Sequence, residues 1–69
     1  MNSTAVEIAT DVTLTGKHGK VVAQSGTVLE FDLAPEPNMI HVYLGRFSAT
    51  ISMEDAIPVV WDGDEYYWA

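Results

Sequence analysis

Residues 40–51 constrain the fold more than any other part of the chain, because they fit a single hairpin register. If Gly45 and Arg46 form a two-residue turn, Leu44 faces Phe47, and the other apolar residues of both strands also pair on one face. A shift of one residue would place each apolar side chain opposite a polar one, so the register is strongly specified. Glycine at the first turn position is typical of a type II′ turn, whose twist suits a hairpin.

The second face of this hairpin is polar, with His41 opposite Thr50 and Tyr43 opposite Ser48. Side chains of a strand alternate between the two faces of a sheet, so one face is buried and the other is exposed. We therefore expect His41 and Tyr43 to lie on the surface, where they are candidates for recognition.

Alternation of apolar and polar residues also covers the first half of the chain. Residues 6–14 predict a long or bent strand with one buried face. A glycine-bracketed turn at residues 16–19 leads to a second strand, with Leu14 opposite Val21. A three-residue loop with Gly26 in the left-handed conformation would then form a bulged hairpin and place Val21 opposite Leu29.

The second half of the chain predicts a loop, one turn of helix and a short strand. Two prolines in residues 34–38 remove backbone donors and favour a loop. Residues 52–56 begin with a capping-type serine and do not alternate, which is typical of one helical or 3-10 turn. A short strand follows at residues 57–61. Residues 62–69 either return as a further strand, with Val59 opposite Tyr66, or form an acidic-aromatic tail.

The charge of the chain is strongly unbalanced, with ten acidic residues, three Lys or Arg residues and a net charge of -7. This charge opposes binding to nucleic acid, which needs clustered Lys and Arg, and it disfavours anionic membranes. It favours attraction to a basic protein surface. The lack of cysteine, of a stretch of about 18 apolar residues and of a signal-peptide pattern predicts a cytoplasmic protein.

The 69 residues predict a single all-β domain with five or six antiparallel strands and one helical or 3-10 turn before the last strands. The order of these elements over residues 11–60 resembles a small SH3-like barrel. It is similar to the KOW domains of translation proteins, the small SH3-like subunit of photosystem I and the variable chain of ferredoxin–thioredoxin reductase. KOW domains that bind RNA are basic, and this chain is acidic. A small β-sandwich and an OB-like barrel are competing interpretations.

No group of residues predicts catalysis or metal binding. His18 lies in a turn, and neither His18 nor His41 is spaced from acidic residues as metal ligands usually are. The paired carboxylates lie in turns or at outward strand positions, where a solvated acidic surface is the simpler interpretation. We therefore expect a protein that is not an enzyme and that has no cofactor or metal.

We interpret the chain as a non-catalytic, acidic protein-protein interaction module. It would act as an accessory subunit, or as an inhibitor that docks on the basic surface of a larger protein; a homodimer is also compatible with the sequence. Exposed Tyr and Trp side chains are enriched at interfaces, which adds the terminal aromatic residues to the candidates. The predicted partner-binding residues are His41, Tyr43, Asp62, Asp64, Glu65, Tyr66, Tyr67 and Trp68.

Two other functions remain open at this point. One is a small-molecule-binding or enzymatic barrel that uses His41 and Tyr43. The other is a nucleic-acid-binding SH3-like module, which the charge disfavours.

Overall fold

The structure is a computed structural model that describes residues 5–61, 63 and 66–68; of Trp61 and residues 66–68 it describes only the backbone. This part of the chain is all-β, as predicted, with one 3-10 turn. The strands are β1 (Ala5–Ile8), β2 (Val12–Gly16), β3 (Gly19–Ala23), β4 (Val28–Leu33), β5 (Met39–Leu44), β6 (Phe47–Ser52), β7 (Ala56–Trp61) and β8 (Tyr66–Trp68), with the 3-10 turn at Met53–Asp55.

The eight strands follow the order β3-β2-β6-β5-β4-β1-β7-β8, and the neighbouring strands of the described residues pair antiparallel. Strand β4 belongs to both halves of the sheet. Its first residues, Val28 and Leu29, pair with β1, whereas Glu30 to Leu33 pair with β5. The two halves therefore share one strand and enclose the core between them.

The β5–β6 hairpin has the predicted register, with Leu44 opposite Phe47 and Ile40 opposite Ile51. Gly45 has a φ of 62°, whereas Arg46 is not among the residues with positive φ. A positive φ at the first turn position alone is the pattern of a type II′ turn. The predicted register of β2 and β3 is also confirmed, with Leu14 opposite Val21.

The predicted hairpin between β3 and β4 is wrong. Instead of facing Val21, Leu29 pairs with Val6 of β1. Gly26 does have a positive φ, of 92°, but its amide donates to the carbonyl of Ile8, and the amide of Ile8 donates to the carbonyl of Thr27. The loop before β4 is thus joined to β1, and β3 lies at one end of the sheet order.

The predicted long or bent first strand is divided into β1 and β2, which pair with different neighbours. At the break, the amide of Ala9 donates to the carbonyl of Asp55, and the amide of Ser25 donates to the Asp11 carboxylate. These bonds satisfy polar groups where the chain leaves one half of the sheet for the other. Both Ile8 and Val12 stay buried across the break.

The prediction of a barrel with five or six strands is also corrected. The described residues form eight strands, and β3 and β8, at the two ends of the order, are not paired with each other, so the barrel is not closed. Strand β8 pairs with β7 so that Trp61 faces Tyr66 and Val59 faces Trp68. This differs from the expected pairing of Val59 with Tyr66, because the turn between the strands is longer than two residues.

The core is formed mainly by the inward side chains of β1, β2, β4 and β5. Its buried residues are Val6, Ile8, Val12, Leu14, Ala23, Leu29, Ile40 and Val42. Phe31, Phe47 and Ile51 are partly buried and pack against this group. The core side chains are short or branched aliphatics, which suit the tight spacing between packed strands.

Candidate functional site

His41 and Tyr43 lie on the outward face of β5, and each is flanked by both neighbouring strands. His41 pairs with Asp32 of β4 and Thr50 of β6. Its Nδ1 atom lies 2.8 Å from the Thr50 hydroxyl oxygen, a hydrogen-bond distance. The imidazole is therefore held against its own sheet by a neighbouring side chain.

Tyr43 lies between Glu30 and Ser48 in the same register, and Asp32 on β4 is close enough to affect the pKa of its hydroxyl. The pKa of Tyr43 is raised above 10.0, first by desolvation and then by the negative charge and hydrogen bond of Asp32. A raised pKa keeps the phenol neutral, so Tyr43 is a hydrogen-bond donor here. The face around it is polar and carries two carboxylates.

The predicted partner-binding residues form two sets, His41 with Tyr43 on β5 and the acidic and aromatic residues near the end of the chain. The structure does not bring these two sets onto neighbouring strands. Asp62, Asp64 and Glu65 lie outside the described residues, as do the side chains of Tyr66, Tyr67 and Trp68. The backbone of the last three forms β8, and β4, β1 and β7 separate it from β5 in the sheet order. The role of these residues in partner binding stays a prediction.

A groove that the sequence analysis did not identify opens between β4, β5 and β7. It has a volume of about 410 Å³, and its lining is mostly apolar. The residues that line it are Val6, Phe31, Leu33, Ile40, Met53, Ala56 and Pro58. Val6 and Ile40 are buried core residues, so the groove lies directly against the hydrophobic core.

Leu33 and Met53 stand out among the groove residues because they are large, apolar and exposed. Leu33 is 74% exposed and Met53 is 45% exposed. Leu33 alternates with Leu29 and Phe31 along β4, so its side chain lies on the same face of the strand. It is at the end of β4, where no second layer covers it. Exposed apolar patches of this kind mark interaction sites more often than single scattered residues do.

Acidic residues occupy the two segments beside the groove. Glu36 lies in the loop between β4 and β5, and Glu54 and Asp55 lie in the 3-10 turn. The turn is capped by Ser52, whose hydroxyl oxygen accepts a hydrogen bond from the amide of Glu54 at 3.2 Å. All three acidic residues are exposed, so the groove combines an apolar lining with a negatively charged surround.

One signal for the groove was present in the sequence. Leu33 is the last inward residue before a loop with two prolines, and Met53 lies in a turn without alternation. Large apolar residues at such places have no strand neighbour to cover them. The alternation of residues placed Leu33 on the core face, but it could not show that no strand covers this end of the core.

Within the described residues, no group of three or more His, Cys, Asp or Glu side chains is close enough to hold a metal ion. In the same part of the chain, no helix has the length and apolar character needed to cross a membrane. Comparisons of the chain with protein-family models, curated proteins and solved structures found no match.

Proposed function

We propose that this chain is a non-catalytic, acidic interaction module that docks on a basic surface of a larger protein, as an accessory subunit or an inhibitor. The observation that carries the proposal is the apolar groove flanked by carboxylates. The occupant we propose is an extended protein segment that carries an apolar side chain next to Lys or Arg.

Burial of the apolar part of the groove provides the favourable free energy for binding. Leu33 and Met53 lose contact with water when an apolar side chain covers them, and burial of apolar area contributes about 25 cal/mol per Å². Phe31 and Ile40 form a preformed floor, so little ordering of this protein accompanies binding. The centre of a protein interface typically has this apolar character, with a polar rim.

The carboxylates supply orientation and selectivity. Glu36, Glu54 and Asp55 are exposed at the edge of the groove, in a chain with a net charge of -7. A basic segment is attracted to this end of the molecule, whereas an acidic segment of the same apolar content is repelled. We therefore expect binding that weakens as salt rises.

The order of elements supports the SH3-like interpretation of the fold. Strands β4, β5 and β6 form a meander, the 3-10 turn follows, and β7 returns to pair with β1. The resemblance over residues 11–60 includes this meander, the turn and the last strand, together with the glycine turn that leads into β3. The β2–β3 hairpin would then be an elaboration between the first and second strands of that barrel.

The test uses synthetic peptides with alternating Leu and Lys residues, and matched peptides with Glu in place of Lys. Binding to the full chain is followed by two-dimensional amide NMR. We expect the Leu-Lys peptides to shift the amides around Leu33, Met53 and Ala56, and the Leu-Glu peptides to leave them unchanged. Equal binding of both peptide series, or shifts confined to other surfaces, would reject the proposed occupant.

Two exposed apolar residues provide a matched pair of variants. Leu33→Ser removes the most exposed side chain of the groove, and we expect it to weaken peptide binding at least tenfold. Val22→Ser is the control, because Val22 is 61% exposed but lies on β3, away from the groove. If Val22→Ser weakens binding as much as Leu33→Ser, the contact is not made by the groove.

A further inference from the structure

A second pocket lies at the opposite end of the β5–β6 hairpin, where two turns meet. The turn between β2 and β3 contains Lys17 and His18, and the turn between β5 and β6 contains Gly45 and Arg46. The pocket has a volume of about 260 Å³ and is lined by Gly16, Lys17, His18, Arg46 and Phe47.

Close packing between Gly16 and Phe47 holds the two turns together. A Cβ atom added at Gly16 would lie 2.9 Å from Cδ1 of Phe47 and 3.2 Å from the carbonyl oxygen of Arg46. The phenyl ring therefore occupies the space that a side chain at Gly16 would need. Strands β2 and β6 pair through Thr15 and Ser48, the residues directly before Gly16 and after Phe47.

The pocket collects the positive charge of an otherwise acidic molecule. The chain has three Lys and Arg residues, of which Lys17 and Arg46 line the pocket. The third, Lys20, lies nearby on β3, opposite Thr15. In the described part of the chain, no ion pair is found for any of these three side chains.

Three of the seven carboxylates of the described residues are far from this pocket. Glu36, Glu54 and Asp55 lie in segments near the other end of β5. This strand has six residues, so they are about 20 Å away at ~3.3 Å per residue. Charges are screened over about 8 Å at physiological ionic strength. The nearest acid in register is Glu30, which lies two strands from Ser48 and lines a neighbouring pocket with Gly45. Lys17 and Arg46 therefore line the pocket with no carboxylate in its lining, and Glu30 is the nearest acid in register.

We propose that this pocket binds a small organic oxyanion, a phosphate or carboxylate group attached to an aromatic or short apolar body. Lys17 and Arg46 would contact the anion through charge-assisted hydrogen bonds, and Phe47 would contact the apolar body. A ligand of this size interacts only with the pocket. A long polyanion would extend into the acidic remainder of the surface and be repelled. This site is distinct from the apolar groove and does not depend on the function proposed for it.

The test titrates the full chain with four probes and follows the amide NMR spectrum. Phenyl phosphate and benzoate carry both an oxyanion and a ring, inorganic phosphate carries only the anion, and benzyl alcohol carries only the ring. We expect phenyl phosphate to bind with a dissociation constant of roughly 1 mM and to shift the amides of residues 16–18 and 46–47. Comparison with benzoate shows which oxyanion is preferred. Benzyl alcohol binding as tightly as phenyl phosphate would overturn the proposal.

Charge variants separate a defined site from general attraction. We expect Arg46→Gln and Lys17→Gln each to weaken phenyl phosphate binding about two- to fivefold, the range for exposed charge pairs. Lys20→Gln removes the same charge from a residue outside the pocket lining, and we expect less than half of that effect. An equal effect of all three variants would overturn the proposal, because binding would then follow net charge alone.

Two variants test the geometry without changing charge. Gly16→Ala forces Phe47 or the Arg46 turn to move, and we expect at least threefold weaker binding of phenyl phosphate. Phe47→Leu should weaken phenyl phosphate binding but leave inorganic phosphate binding within a factor of 1.5. Far-ultraviolet circular dichroism checks that both variants fold. If a folded variant of either kind binds phenyl phosphate like the parent chain, the pocket is not the binding site.

Discussion

The main-chain carbonyl oxygen of Asn38 accepts a hydrogen bond of 2.8 Å from the amide of Met53. This bond joins the loop between β4 and β5 to the 3-10 turn, the two acidic segments beside the apolar groove. Asn38 is the only non-glycine residue with a positive φ in the described chain, at 61°. The backbone of Asn38 thus adopts an unusual conformation at the point where the two segments meet.

The first prediction concerns this conformation. L-residues other than Asn and Asp occupy the left-handed region at a cost of about 1–2 kcal/mol, and glycine occupies it without that cost. We expect Asn38→Ala to lower the free energy of unfolding by about 1 kcal/mol and Asn38→Gly to change it by less than half as much. Urea unfolding followed by fluorescence measures both. A larger loss for the glycine variant would show that the Asn38 side chain, and not its backbone, stabilises the loop.

The cap of the 3-10 turn provides a second prediction. The Ser52 hydroxyl oxygen accepts a hydrogen bond from the Glu54 amide, and both groups are accessible to water. We expect Ser52→Ala to lower the free energy of unfolding by about 0.5–1 kcal/mol, at the low end of the range for caps. Ser52→Thr keeps the hydroxyl and serves as the control. If both variants lose the same stability in urea unfolding, the effect does not come from the cap.

A third prediction compares Leu33 with Ile40, which face each other across β4 and β5. Leu33 is 74% exposed, whereas Ile40 is 1% exposed. We expect Leu33→Ala to change the free energy of unfolding by no more than about 0.5 kcal/mol, although it removes three carbon atoms. Ile40→Val removes one carbon atom but should cost about 1 kcal/mol.

Thermal and urea unfolding of the two variants decide this comparison. A Leu33→Ala variant that is less stable than Ile40→Val would mean that Leu33 is covered in solution. In a concentration series, stability of the parent chain that increases with protein concentration would identify a second copy as the cover.

The local pairings of this fold could be predicted from the sequence, because a hairpin brings neighbouring segments together. The parity of residues 40–51 and the position of Gly45 suffice to fix the β5–β6 register. The same reasoning fixes β2 and β3, whose turn is bounded by Gly16 and Gly19. In both hairpins, loop length and alternation leave only one register with an apolar face.

The pairings between distant segments could not be predicted in this way. The alternating pattern predicts that Leu29 is buried, but Val21 of β3 and Val6 of β1 would both be suitable apolar partners for it. The choice depends on which strand covers the core after the whole sheet has formed. The groove was missed for a related reason. Alternation predicts that the Leu33 side chain points to the inner face of the sheet, but it does not show whether other strands cover that position.

A fourth prediction concerns the alkaline titration of Tyr43. Burial and the Asp32 carboxylate raise the pKa of Tyr43, so its ionisation should occur above that of an exposed tyrosine. We expect Asp32→Asn to lower the pKa of Tyr43, because it removes a negative charge, while the effect of burial remains. Glu30→Gln is the matched control, since Glu30 is paired with Tyr43 in register but does not contribute to the shift. Ultraviolet difference absorbance of tyrosinate, corrected with Tyr43→Phe, measures the titration. An equal decrease in both charge variants would assign the shift to overall negative charge.

The same shift predicts how stability changes with pH. The folded state favours the neutral phenol, so at alkaline pH it binds more protons than the unfolded state, whose tyrosine has a pKa of about 10. The contribution of Tyr43 is therefore complete below about pH 10 and is lost as the pH rises through the higher pKa of the folded state. Urea midpoints of the parent chain should fall more steeply than those of Tyr43→Phe from roughly pH 9 to 11. Parallel curves would show that Tyr43 has the same pKa in both states and that its hydroxyl is not held by Asp32 in solution.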